Sequence, residues 1–288
     1  MQLRNLLPWR FRSINNYQFT KANWMFRKVL QTPALGCAPE SDTEVHALAC
    51  ARDLNMLLLS AKSFLVHCPN VRLVVHDDGS LTRHHEGLLR NHLPHVKFVA
   101  RSEADTAMRR ALPPSVFTAR QENVFLIKFF DVNYFSRARR TILLDSDIIF
   151  TAPPTEILDW VRSDSTSSFY NADPEPNTVR TLHGPNVALR MPHFNAGFMG
   201  YHGHFAIETL VDLCMRLGYY REDQTLFAYL LSERAPLQLP SDRYHVYVGM
   251  PLPPLVCMVH FVSTHRFRNG AYVALAQKTI ARLQEMAS

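Results

Sequence analysis

Ten residues, Thr141 to Phe150 (TILLDSDIIF), constrain the fold of this 288-residue chain more than any other stretch. Apart from the acidic pair and its serine, the run is apolar on both sides. A strand of that kind must be covered on both faces, so it belongs at the centre of a sheet with helices above and below. Pro153-Pro154 stop the run, and Thr155 to Val161 opens a helix. The preceding sequence alternates in the same sense. Val45 to Cys50 reads as a strand, Leu54 to Val66 as a helix, and Val71 to His76 as a strand ending in the turn Asp77-Asp78-Gly79-Ser80. Thr82 to His92 reads as a helix, Val96 to Ala100 as a strand and Asn123 to Phe135 as a helix. Beyond the run, Asp173 to Pro192 is rich in Pro, Asn and Gly and reads as a long loop over the site. Phe194 to Tyr201 and Val256 to Val262 read as strands, with a helix over about Phe205 to Leu217 between them and a last helix over Ala271 to Met286. The pattern predicts one α/β domain over residues 41–288, a mixed, mainly parallel sheet flanked by helices, behind an arm of residues 1–40.

The arm holds the charge asymmetry. The chain carries 31 Lys plus Arg against 25 Asp plus Glu. Residues 1–39 contain Arg4, Arg10, Arg12, Lys21, Arg27 and Lys28 and no acid, so the remainder is neutral. The same arm carries Trp9, Phe11, Tyr17, Phe19, Trp24 and Phe26. Basic residues interleaved with aromatics suit an anionic membrane surface, met through residues 1–30, better than they suit a nucleic acid. Aromatics packed on the domain with the charges left in solvent would give the same pattern. A composition of 47% hydrophobic and 19% charged residues is that of a soluble globular protein. No apolar run reaches about 18 residues, and no basic start is followed by an apolar block, so neither a membrane span nor secretion is expected. Five cysteines without CxxC spacing argue against a disulfide framework and a zinc cage. Cytoplasmic placement, peripheral at the inner membrane face, is the expectation.

The chemistry concentrates at Asp145-Ser146-Asp147. Carboxylates at i and i+2 on an extended chain project to the same side, so both can reach one cation. They fall at the end of a buried strand, where open α/β sheets place ligands. Hard divalent cations, Mg²⁺ or Mn²⁺, take oxygen ligands of this kind and bridge them to a diphosphate.

In this context Leu143-Leu144-Asp145-Ser146-Asp147-Ile148-Ile149 resembles the DxD motif of GT-A-fold nucleotide-sugar glycosyltransferases, particularly glycosyltransferase family 8, which includes glycogenin and bacterial lipopolysaccharide galactosyl- and glucosyltransferases. Other segments agree in order. Lys128, 17 residues before Asp145, matches a basic donor-contacting residue; Phe194-Asn195-Ala196-Gly197 resembles the motif lining the donor sugar; Glu222-Asp223-Gln224 resembles an Asp-Gln pair beside the reacting centre. Val259-His260-Phe261 resembles the strand that bears a histidine metal ligand. Ala61-Lys62-Ser63 and Asp78-Gly79 are also similar, so the resemblance spans about residues 44 to 268. Where the family has Gly and then Lys-Pro-Trp after its histidine, this chain has Ser263, Arg266, Phe267 and Arg268.

The resemblance implies a GT-A fold and a metal-dependent hexosyltransferase using a nucleotide-sugar, most naturally a UDP-sugar. It implies Mn²⁺ or Mg²⁺ on Asp145, Asp147 and His260, with Asn195, Asp223 and Gln224 as the catalytic set. Donor contacts would come from Arg52, Asp53, Lys128, Asp145, Ser146, Asp173, Ala196, Gly197 and Arg266, the guanidinium replacing the family's lysine on phosphate. Retention of anomeric configuration follows from the resemblance; in an inverting reaction Asp223 or Glu222 would be the first general base. The acceptor would be a lipopolysaccharide, exopolysaccharide or lipid-linked glycan. Transfer to a modified DNA base is an alternative, with steep salt dependence. A nucleotidyltransferase making a nucleotide-sugar is another, disfavoured because no glycine-rich phosphate cradle follows the first strand. A non-enzymatic binding module would have no need of the intact Asp145, Asp147 and His260.

Overall fold

A computed structural model describes residues 14–176, 178–179, 187–188, 191–218, 223–267 and 269–286. The helices are α1 Ile14–Met25, α2 Leu54–Leu65, α3 Arg83–His92, α4 Arg101–Ala111, α5 Pro114–Glu122, α6 Val124–Phe135, α7 Thr155–Arg162, α8 Ile207–Leu217, α9 Asp223–Ser232 and α10 Ala271–Glu285. The strands are β1 Thr43–Ala49, β2 Arg72–Asp77, β3 Lys97–Val99, β4 Arg140–Leu144, β5 Ile148–Phe150, β6 Phe169–Ala172, β7 Thr178–Val179, β8 Val187–Ala188, β9 Phe194–His202, β10 Leu237–Gln238, β11 Tyr244–Tyr247 and β12 Met258–Phe261. Short 3₁₀ turns cover Phe26–Gln31 and Ser263–Phe267.

The central sheet runs β10-β6-β9-β4-β1-β2-β3. Its pairings are parallel except those of β9 with β4 and with β6. A second sheet, β11-β12-β5, stands beside it, with β5 antiparallel to β12. Strand β4 shows why the sheet sits in the middle. Ile142 and Leu144 point into one core, with Phe64, Phe150, Phe198 and Tyr272, while Leu143 points into the other, with Phe129, Phe130, Phe227 and Leu213. Each such buried side chain contributes roughly 1.5–3 kcal/mol over its exposed state. Helices α2 and α10 cover the first face; α6, α8 and α9 cover the second.

One expectation is overturned. Thr141 to Phe150 is not a single strand: β4 ends at Leu144 in the central sheet, and β5 begins at Ile148 in the other. The cause lies in hydrogen bonding at the polar triplet. The Asp145 N–H still donates to the Gly197 carbonyl of β9 (2.9 Å), but two residues later the Asp147 carbonyl accepts from Phe261 N–H of β12 (3.0 Å). The Asp145 carbonyl is capped by the Ser60 hydroxyl (2.8 Å), and the Ser63 hydroxyl accepts from Phe150 N–H (3.1 Å). Both serines come from α2, whose other residues are mostly apolar. Residues 101–122, to which the pattern assigns no element, form α4 and α5. Helix α4 is too polar for periodicity alone to reveal it, and α5 begins at a proline in the first turn. The short strands β6, β10 and β11 are likewise without a sequence signal.

The described part of the arm splits by face. Ala22, Phe26 and Val29 are buried, with Phe26 edge-on to Tyr272 at 4.9 Å, and the Asn55 side chain and backbone N–H both bond Asn23. Tyr17 and Trp24 stay exposed. Lys62 pins the following turn, its ammonium bonding Thr32 Oγ1 and the Pro33 carbonyl at 2.7 Å each. Residues 1–13 lie outside the described residues.

Candidate active site

Because β4 hands over to β5 at the triplet, the strands that flank it deliver the rest of the site. Gly200 to Phe198 of β9 pair with Ile142 to Leu144, which brings Asn195, Ala196 and Gly197 beside Asp145 and Ser146. His260 of β12 pairs with Ile148 and therefore faces the carboxylates. His260 Nε2 lies 3.1 Å from Asp147 Oδ1 and 3.9 Å from Asp145 Oδ2. One ligand atom from each of the three lies within 4.8 Å of the others. In an octahedral site with bonds of about 2.1 Å, adjacent ligand atoms stand roughly 3 Å apart and opposite ones about 4.2 Å. The donor set of two carboxylates and an imidazole thus fits a hard or borderline divalent cation.

The imidazole is fixed by its other nitrogen. His260 Nδ1–H donates to Asn195 Oδ1 at 2.9 Å, so a neutral ring presents the Nε2 lone pair to the carboxylates. Asn195 Oδ1 also accepts from Gly197 N–H (2.9 Å), and its amide donates to Asp173 Oδ1 (2.8 Å). Asn195, expected on the donor sugar, bonds His260, Gly197 and Asp173 in this structure. Gly197 has a corresponding use: a Cβ there would stand 2.0 Å from His260 Cε1. The glycine makes room for the imidazole. Gly197→Ala is expected to lower stability by about 1–3 kcal/mol, the usual cost of overpacking a filled site. Urea unfolding measures it, and an unshifted midpoint would show that the ring has room to move.

Charge is balanced in pairs. Lys128 Nζ contacts Asp145 Oδ1 (2.7 Å), Asp223 Oδ2 (2.8 Å) and the Ala196 carbonyl (3.0 Å). Arg266 donates through Nη2 to Asp147 Oδ2 and through Nε to the Phe261 carbonyl. Burial raises the Asp145 carboxyl above the usual carboxylate range; Lys128 opposes the shift without cancelling it, and Asp147 adds to it. Burial acts the same way on Asp147, but Arg266 and His260 overcome it and hold that carboxyl well below the usual range. Burial disfavours the His260 imidazolium, yet Asp147 more than offsets it, so the ring's pKa is raised.

These groups line a cleft of about 610 Å³ with Phe125, Asp173, Glu175, Gln224, Val248, Val262 and His265. Asp173 is held by both Asn195 and Gln224, whose Nε2 donates to Asp173 Oδ2 at 3.0 Å. Arg52, Asp53 and Ser146 are not in the wall; Arg52 pairs with Asp53 at 2.8 Å at the start of α2. Glu222 and Arg268 lie outside the described residues. Sequence reasoning missed Ser60 and His265. The lone hydroxyls in the apolar run of α2 were the available signal for Ser60, and His265 had none beyond its place five residues after His260.

No protein-family model matches the chain, and no curated protein sequence matches it. Solved structures do. The galactosyltransferase LgtC in complex with donor and acceptor sugar analogues superposes with a TM-score of 0.55 at 12% identity, covering 83% of this chain and 95% of that one. The glycosyltransferase GlyE of Streptococcus pneumoniae gives 0.56 at 12%, covering 86% and 63%. Mouse xyloside xylosyltransferase 1 gives 0.52 at 12%, covering 77% and 97%. At these identities the likeness is one of fold, and the fold is GT-A, as the sequence led us to expect.

Proposed function

We propose that the chain is a metal-dependent glycosyltransferase that moves a hexose from a nucleotide-sugar, most naturally a UDP-sugar, to a hydroxyl of a glycan or lipid-linked acceptor. The observation that carries the reading is the charge of the cleft. Among the described residues its wall holds five acids (Asp145, Asp147, Asp173, Glu175 and Asp223) against Lys128 and Arg266, both already on carboxylates. A diphosphate would be repelled from such a cleft unless a cation bridged it, and Asp145, Asp147 and His260 are the residues that would hold one. When bound, Mn²⁺ or Mg²⁺ supplies Lewis-acid stabilisation of the charge that grows on a departing nucleoside diphosphate. The volume lies in the range of small-molecule and cofactor sites.

The chain's own residues divide the remaining work. Asn195 fixes the His260 tautomer, and Ser60 fixes the carbonyl of Asp145. Asp173, held by Asn195 and Gln224, offers a preset acceptor to sugar hydroxyls. Lys128 and Arg266 bring positive charge to the side where the phosphates would lie. Asp223 is clamped on Lys128 at 2.8 Å, which makes it a poor general base. That favours transfer with retention, in which the leaving phosphate oxygen takes the acceptor's proton on the same face.

A thermal-shift panel of UDP-, GDP-, CMP- and dTDP-sugars, each with Mn²⁺ or with EDTA, tests the reading. A UDP-sugar is expected to raise the melting temperature only with Mn²⁺, by the equivalent of about 2.7 kcal/mol at a hundredfold excess over Kd. Absence of a shift with every nucleotide-sugar would overturn it.

A further inference from the structure

A second cavity of about 510 Å³ lies between α1 and α10. Its surface is mostly apolar, with Ala22, Met25, Phe267, Val273 and Ala274, and among the described residues no acid lines it. Its charged residues, among those described, are Lys21 and Arg266. Arg266 lines the catalytic cleft as well, so the groove ends at the metal-site wall. Tyr17 and Lys21 of the groove's lining and the neighbouring Trp24 follow one another at i, i+4 and i+7 and so share one face of α1, which borders the groove. Trp24 is 60% exposed and Tyr17 46%, and the Arg27 guanidinium stacks on Trp24 at 4.3 Å. Exposed tryptophan is uncommon unless it meets something, and a ring flanked by cations suits the headgroup layer of an anionic bilayer.

We propose that this groove seats the hydrocarbon chain of a phosphate-bearing lipid, the acceptor substrate, while the exposed Trp24 and Arg27 beside it lie in the headgroup layer. The proposal rests on the glycosyltransferase reading and adds to it the class of acceptor. Three features select that occupant. An apolar trough takes a chain, Lys21 at its exposed edge takes its phosphate, and Arg266, already paired with Asp147, marks the junction through which the polar head reaches the reacting centre. A lipid-borne acceptor also has to be met at a membrane, which the exposed aromatic and basic face of α1 provides.

Dodecyl phosphate below its micellar concentration serves as the soluble probe, with inorganic phosphate and dodecanol as controls, in calorimetric titrations of the full chain. Dodecyl phosphate is expected to bind at least about tenfold more tightly than either control, since each control supplies only one of the two contacts. Ala274→Trp places an indole in the groove from an exposed position, so the fold tolerates it. The variant should lose dodecyl phosphate binding about tenfold or more while the Mn²⁺-dependent shift with nucleotide-sugar stays unchanged. Lys21→Glu, at an exposed site, should weaken dodecyl phosphate and leave dodecanol unaffected. Unchanged dodecyl phosphate affinity in Ala274→Trp, or inorganic phosphate binding as tightly as the amphiphile, would overturn the groove assignment. A nucleotide-sugar shift missing from the wild type as well would instead overturn the transferase reading, so the two failures are distinguishable.

Discussion

Asp147→Asn is expected to reduce sugar transfer by about 10²- to 10³-fold and to remove Mn²⁺ binding, with the chain still folded. The carboxylate contacts both His260 Nε2, at 3.1 Å, and the Arg266 guanidinium. An amide keeps the shape and loses the anionic oxygen on which a divalent cation depends. A bound metal stabilises transition-state charge by several kcal/mol, and each 1.36 kcal/mol is a factor of ten in rate. The structural cost is smaller. Arg266 and His260 lose a countercharge, at about 1–3 kcal/mol, against a total of roughly 5–15 kcal/mol for a domain. Calorimetric titration with Mn²⁺ and a urea melt separate the two effects. In the wild type, Mn²⁺ affinity should also rise with pH through the His260 titration, which lies above its usual 6.5, because the ligand is the neutral ring. A variant that binds Mn²⁺ as the wild type does would place the metal elsewhere.

The GT-A topology was legible in the sequence because its signals are local. The apolar alternation of Ile142, Leu143 and Leu144 between two cores is a property of five consecutive residues, and so is the run of α2. The metal-type triad was legible only through the order of short motifs, since His260 lies 113 positions after Asp147 and nothing in its neighbourhood marks it as a ligand. The break between β4 and β5 was not legible. The two bonds that cause it, to Gly197 of β9 and from Phe261 of β12, come from strands far along the chain. The contacts of Asn195 and Gly197 with His260 were hidden for the same reason, since His260 lies more than 60 positions further along the chain. Arg266 has a partner that its type did not point to: a guanidinium suits phosphate, and in this structure it pairs with Asp147. The arm carried a readable signal that composition concealed. Ala22, Phe26 and Val29 recur at helical spacing and face inward, which leaves Tyr17, Lys21 and Trp24 outside.

Lys128→Met should destabilise the protein by about 3–5 kcal/mol at neutral pH in EDTA, the range for removing one partner of a buried ion pair. Lys128 is 6% exposed, and its ammonium lies within 2.8 Å of carboxylate oxygens of both Asp145 and Asp223. Methionine fills the volume but leaves the two anions facing each other in a wall that already holds Asp147. The loss should depend on pH in a definite direction. Lys128 has its pKa raised by the two aspartates despite burial, so its contribution is complete below the free-lysine value of about 10.4 and does not vary between pH 5 and 8. Asp145 is raised above its ordinary 3.8 even with Lys128 present. Without the lysine it moves further up, and the folded state then binds more protons than the unfolded one across mildly acidic pH. Stability of the variant therefore falls as pH rises, and the gap to the wild type widens from pH 5 to pH 8. Urea midpoints at three pH values measure the gap. A deficit of the same size at each pH would mean that lost packing, not the uncompensated aspartates, destabilises the variant, because only the charge term can be relieved by a proton.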